Sequence, residues 1–93
     1  MERYTQKKND NEFQINPELI FSKDTIVFGP AIDRLGRFED FYDGVKNRLE
    51  SIDSELRSLR DADKTKTVRY RELFGSKLML NQVMMDLRHY GFE

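Results

Sequence analysis

The segment Lys64-Thr65-Lys66-Thr67-Val68-Arg69-Tyr70-Arg71 gathers four cations and one aromatic ring within eight residues. The chemistry open to such a tract is recognition of anions. Lysine and arginine can contact phosphates, hydroxyls and a helix N-terminus can join them, and Tyr70 offers a face on which a base could stack. Lys77 and Arg88 extend the candidate patch. Three uses fit. The tract can be a structural connector, which carries the most weight because Asp61, Asp63 and Glu72 flank it. It can also face an acidic surface on another protein, or contact nucleic acid. The helix–break–helix pattern that follows resembles a helix-turn-helix in outline.

Nothing else assembles a reactive centre. His89 is the single histidine and there is no cysteine, which removes His/Cys triads, thiolate metal sites and disulfides. Glu39, Asp40 and Asp43 form the densest carboxylate group, and Glu39 and Asp43 share a helix face. Metal or acid–base work would need ligands from another element, so a solvated helix edge is the simpler reading. The glycines at 29, 36, 44, 75 and 91 are scattered and make no phosphate-binding loop. A non-enzymatic protein with no metal and no cofactor is expected.

The elements that must position the tract are mostly helical. Leu35, Phe38, Tyr42, Val45, Leu49, Ile52, Leu56 and Leu59 recur at spacings of 3, 4, 3, 4, 3, 4 and 3, a sustained heptad seam. Gly29-Pro30 opens this helix, because proline suits the first turn. The seam predicts one long helix over 30–61. The polar run 62–67 is a connector, and 68–91 is helical again. There Leu73, Leu80, Val83, Leu87 and Tyr90 form a stripe that Phe74, Leu78, Met84 and Met85 widen. Gly75-Ser76 and Leu80-Asn81 are the expected places for a kink or break, and Gly91 the expected C-terminal cap. Thr65–Tyr70 alternates enough to begin as strand instead. Met79, Met84 and Met85 suit an adaptable core, or an accommodating protein-binding patch if exposed.

Residues 1–29 predict a small β and loop region. Arg3–Lys7 and Glu12–Ile15 flank the turn-forming Lys8-Asn9-Asp10-Asn11. Pro17–Phe21 follows a capping Asn16, and Thr25–Phe28 is a further strand. The expected class is therefore mainly α (α+β), with 1–93 one domain. A long heptad helix packs antiparallel on a kinked C-terminal helical segment, an αα-hairpin with coiled-coil character. A β-hairpin or three short strands precede it.

Composition fits this class. The net charge is −1, apolar residues are 38% and charged residues 35%. The last third, 62–93, carries six basic and four acidic side chains, a mild local excess. The polar opening Met1–Lys8 lacks a signal-peptide core, and no apolar run approaches the roughly 20 residues of a membrane span. A soluble, cytoplasmic protein with no membrane partner is expected. The apolar surface of the helices is wider than one antiparallel neighbour would cover. A homodimer and a foreign partner both fit.

Ala31-Ile32-Asp33-Arg34-Leu35-Gly36-Arg37-Phe38-Glu39-Asp40-Phe41 resembles the "A-I-x-K-L-G-x-[YF]-E-D" stretch of small proteins encoded by phages and prophages of Gram-positive bacteria. Their openings look like Arg3-Tyr4-Thr5-Gln6-Lys7-Lys8. Lys64 to Leu78 is similar to their "K-T-K-T-V-x-[FY]-x-[EQ]-L" segment, and Leu87-Arg88-His89-Tyr90-Gly91-Phe92 to their ending. The resemblance implies a mobile-element origin in a bacterial host cell and carries over no catalytic or binding residues. Small phage proteins without catalytic groups commonly act by stoichiometric binding. The leading expectation is a non-catalytic accessory protein that binds a host or phage protein, such as a bacterial defence component of the CRISPR effector kind, and inhibits it. A small nucleic-acid-binding regulator using 64–71 and a structural homo-oligomer are the alternatives. The expected contact residues are Lys64, Lys66, Arg69, Tyr70, Arg71, Lys77 and Arg88.

Overall fold

A computed structural model describes all 93 residues. Two short antiparallel hairpins precede two long helices that pack together, so the protein is mixed α+β and mainly helical. The chain divides into two compact units, Met1–Asp40 and Phe41–Glu93, with the boundary inside the first helix.

In the first unit, β1 (Thr5–Asn9) pairs with β2 (Glu12–Ile15), and the register shifts between Lys7 and Asn9. The turn between them starts at Asn9, whose side-chain oxygen accepts the Asn11 N–H at 3.0 Å. A single 3₁₀ turn, Pro17–Leu19, follows, and Asn16 caps it by accepting the Glu18 N–H at 3.0 Å. A second hairpin joins β3 (Phe21–Lys23) to β4 (Ile26–Phe28) through a tight turn, in which Asp24 takes a left-handed backbone, φ 57°. The sequence reading has a third strand but no β3. Three residues are too few to display alternation, and Phe21 reads equally well as the end of the preceding turn.

Gly29 joins the second hairpin to the helix with φ +125°, a conformation disfavoured for L residues. A β-carbon there would lie 2.8 Å from the Leu19 carbonyl oxygen and 3.0 Å from the Phe21 ring. Glycine is required by both strain and space. Its carbonyl accepts the Asp33 N–H at 2.9 Å and so begins the first helix.

Helix α1 runs unbroken over Pro30–Asp61, as the heptad spacing predicts. Of the eight seam residues, Val45, Ile52 and Leu56 are buried and Phe38, Tyr42, Leu49 and Leu59 are half-buried. Leu35 is 52% exposed. It lies in the first unit, at the edge of an open apolar hollow shared with Phe13, Ile15, Ile20, Ala31 and Ile32.

Helix α2 spans Val68–His89 without interruption through Gly75-Ser76 and Leu80-Asn81, so neither site breaks it. Thr67 is its N-cap, accepting the Tyr70 N–H at 3.2 Å, which settles 65–70 as turn and helix rather than strand. Both helices end in a Schellman arrangement. After α1, Asp63 adopts φ 56° while the Lys64 N–H reaches the Leu59 carbonyl at 2.8 Å. After α2, Gly91 adopts φ 95° while the Phe92 N–H reaches the Leu87 carbonyl at 3.0 Å.

The helices meet antiparallel around Ile52, Leu56 and Leu73, with Leu59, Tyr70 and Leu80 packed against them. Leu56 is the most deeply buried side chain at 1% exposure. Farther from the turn, Val45 and Met84 are also buried. The seam of α2 is thus Tyr70, Leu73, Lys77, Leu80, Met84 and Leu87, spaced 3, 4, 3, 4 and 3. This corrects the sequence reading at two points. Tyr90 is 79% exposed and outside the seam, and Lys77 fills a seam position that a search for apolar residues passes over.

Candidate functional site

The basic tract is divided by the fold between a turn and the first turn of α2. Lys64, Thr65 and Lys66 lie exposed in the connector, where the Thr67 hydroxyl donates to the Lys64 carbonyl at 2.8 Å. Val68 to Arg71 are the opening residues of α2, where the aligned peptide dipoles give the helix end a partial positive charge. Cations are unfavourable there unless a carboxylate answers them.

Glu55 of α1 supplies that carboxylate. The Arg69 Nε donates to Glu55 Oε1 at 2.8 Å and the second guanidinium nitrogen donates to Oε2 at 2.9 Å, a two-point fork. Hydrogen bonding to Glu55, followed by its charge, raises the Arg69 pKa above the ordinary arginine value, and Glu72 adds to the effect. Lys77 is engaged as well, with its Nζ 2.7 Å from Asp53 Oδ1 across the helix pair. Tyr70 is half-buried against the core and stacks on Phe74, with centroids 6.4 Å apart and planes 19° from parallel. Its ring is a packing element rather than an open platform.

Of the seven expected contact residues, then, Arg69, Tyr70 and Lys77 are tied into the helical hairpin. Lys64, Lys66, Arg71 and Arg88 are exposed and make no ion pair. The fold does not gather them into one cluster: two lie in the connector, while Arg71 and Arg88 stand near opposite ends of α2.

The exposed side of the C-terminal helix is also an expected binding surface, but the letters do not separate the row one residue beyond the internal seam from the seam itself. Phe74, Leu78 and Met85 are 44%, 58% and 59% exposed, and Arg71, Asn81 and Arg88 complete the row. The signal was present in the spacing. It was absorbed into a single wide stripe because letters alone do not say which side of α2 faces α1.

No group of three or more His, Cys, Asp or Glu side chains converges as metal ligands do. His89 is exposed and meets Tyr90 edge to face at 5.3 Å. In the first unit, Arg34 donates to the Glu2 carbonyl and places its guanidinium 3.4 Å from the Tyr4 ring centroid, a cation–π contact that ties down the N-terminal residues. No helix is long and apolar enough to cross a membrane. No protein-family model matches this chain, and no curated protein or solved structure shows significant similarity to it.

Proposed function

We propose that this is a non-catalytic accessory protein of a phage or related mobile element that acts by binding another protein stoichiometrically. The target class is a bacterial defence protein, such as a CRISPR effector, which it inhibits. One observation carries the protein-binding part of the reading. Fifteen large hydrophobic side chains are exposed, against five that are buried. Single exposed apolar residues are normal, but aligned ones mark interaction surfaces. The mobile-element origin rests on the resemblance of Ala31–Phe41 and Lys64–Leu78 to small phage proteins.

The nucleic-acid reading ranks second. Its phosphate contacts would need unpaired cations, and Arg69 and Lys77 are committed to Glu55 and Asp53. Capture from host lysate with the tagged full chain, with and without nuclease, separates the two. A captured protein that survives nuclease, and is lost when Lys64, Lys66 and Arg71 are reversed in charge with the helical CD signal intact, supports the proposal. Capture that vanishes with nuclease points to nucleic acid instead.

A further inference from the structure

Helix α2 carries two heptad rows, and only one of them is used internally. The row Tyr70, Leu73, Lys77, Leu80, Met84 and Leu87 meets α1. Displaced from it by one residue, or about 100° around the helix, is the row Arg71, Phe74, Leu78, Asn81, Met85 and Arg88. Its spacing is also 3, 4, 3, 4 and 3, and all six residues are exposed. We infer that this outer row is a second helix-packing seam, and that its occupant is an amphipathic helix of a partner protein bearing carboxylates opposite Arg71 and Arg88.

The periodicity argues for a helical occupant. A row that alternates steps of three and four keeps facing a neighbouring helix along its length, whereas a strand would meet it at a single crossing. The composition argues for the charge. Phe74, Leu78 and Met85 supply the apolar part, while the two unpaired guanidinium groups stand about 25 Å apart along the axis, at 1.5 Å per residue. Arginine forks suit carboxylates, and at the rim of an apolar contact they fix register and orientation more than affinity. Asn81 in the middle of the row acts in the same direction, because a polar seam residue favours one register over its neighbours.

A second copy of this chain fits less well. An antiparallel copy of α2 seated on the row sets Arg71 against Arg88 of its neighbour, and a parallel copy sets each arginine against itself. Like charges face each other at both ends in either case. Helix α1 of a second copy has no answering apolar row, since Phe41 is the single large apolar residue flanking its seam, and Arg48, Ser51 and Glu55 continue that side while Lys46, Glu50 and Asp53 line the other. A foreign helix with acidic ends satisfies both arginines and the apolar centre together.

This inference rests on the protein-binding reading above, and its test is separate from the lysate capture. Two fluorescent three-heptad amphipathic peptides would be made with leucine at the central seam positions. They would differ only in carrying glutamate or lysine opposite the two arginines. Binding to the full chain would be followed by anisotropy at peptide concentrations too low for self-association. The glutamate peptide is expected to bind at least about tenfold more tightly, the factor that corresponds to about 1.4 kcal/mol. The double variant R71E/R88E is expected to reverse the preference, and Leu78→Asp to abolish binding of both with the CD signal unchanged. Equal affinity for the two peptides, or binding of neither, overturns the inference. So does a dimer of the chain alone that Leu78→Asp dissociates. If neither peptide binds while nuclease-resistant capture persists, the seam assignment fails and the broader reading survives. If capture fails while the glutamate peptide binds, the reverse holds.

Discussion

Arg69, in the first turn of α2, is gripped through two nitrogens by both carboxylate oxygens of Glu55 on α1, at 2.8 and 2.9 Å. The pair places a negative charge where the α2 N-terminus needs one and converts part of a basic tract into a brace between helices. Arg69→Glu should therefore lower the thermal midpoint, because two carboxylates then face each other. Adding Glu55→Arg should restore much of the loss. Thermal CD on the two single variants and the double variant measures the coupling, and additive losses would show that the pair contributes nothing. The pH dependence follows from the sign of the shift. A cation whose folded pKa is raised stabilises at every pH below its unfolded value and loses that contribution only as pH rises through the folded one. Arg69 should contribute no pH dependence near neutrality.

Leu56 and Leu78 are both leucines on helices, yet one is 1% exposed and the other 58%. Leu56→Ala should cost about 2–5 kcal/mol through lost transfer energy and a residual cavity. Leu78→Ala should stay within about 0.5 kcal/mol, as exposed substitutions do. Urea titrations of both variants check the contrast, and a comparable loss at Leu78 would mean that α2 faces α1 through its other row.

Lys77 occupies a seam position and meets Asp53 at 2.7 Å. Partly exposed ion pairs contribute about 0–1 kcal/mol, and replacement of such a charge by an apolar side chain is often neutral or better. Lys77→Met should leave stability unchanged or raised and leave partner capture intact. Loss of capture in this variant, with full stability, would return Lys77 to the binding surface.

Much of the fold was legible in the residues. Eight apolar positions repeating at three and four define α1, and proline and glycine mark its start. Gly91 marks the end of α2. Other features were hidden for identifiable reasons. Lys77 and Met84 belong to the α2 seam while Tyr90 does not. A stripe drawn from Leu73, Leu80 and Leu87 cannot tell whether Val83 or Met84 lies at its centre until α1 is in place. Asp63 ends α1 in a role that usually falls to glycine, so its left-handed backbone has no letter to announce it. The basic tract looks like one patch in the sequence because its residues are adjacent there. Helical rotation and Glu55 divide it.

Gly29→Ala should destabilise the first unit by about 1–3 kcal/mol, the scale of a side chain forced into a disfavoured backbone region. The closeness of the Leu19 carbonyl leaves little room to relax. Faster amide exchange in β3 and β4, with little change over 68–89, is the expected pattern. Unaltered exchange in both hairpins would show that the Gly29 conformation is not required.

The most direct test of stoichiometric protein binding is the mass of the purified complex after nuclease treatment, measured by light scattering for the native chain and for Leu78→Asp. The native chain is expected to run as a discrete complex of fixed ratio with its target, and the variant as the free, folded chain. A native chain that stays alone, or that is retained only while nucleic acid is present, would contradict the account.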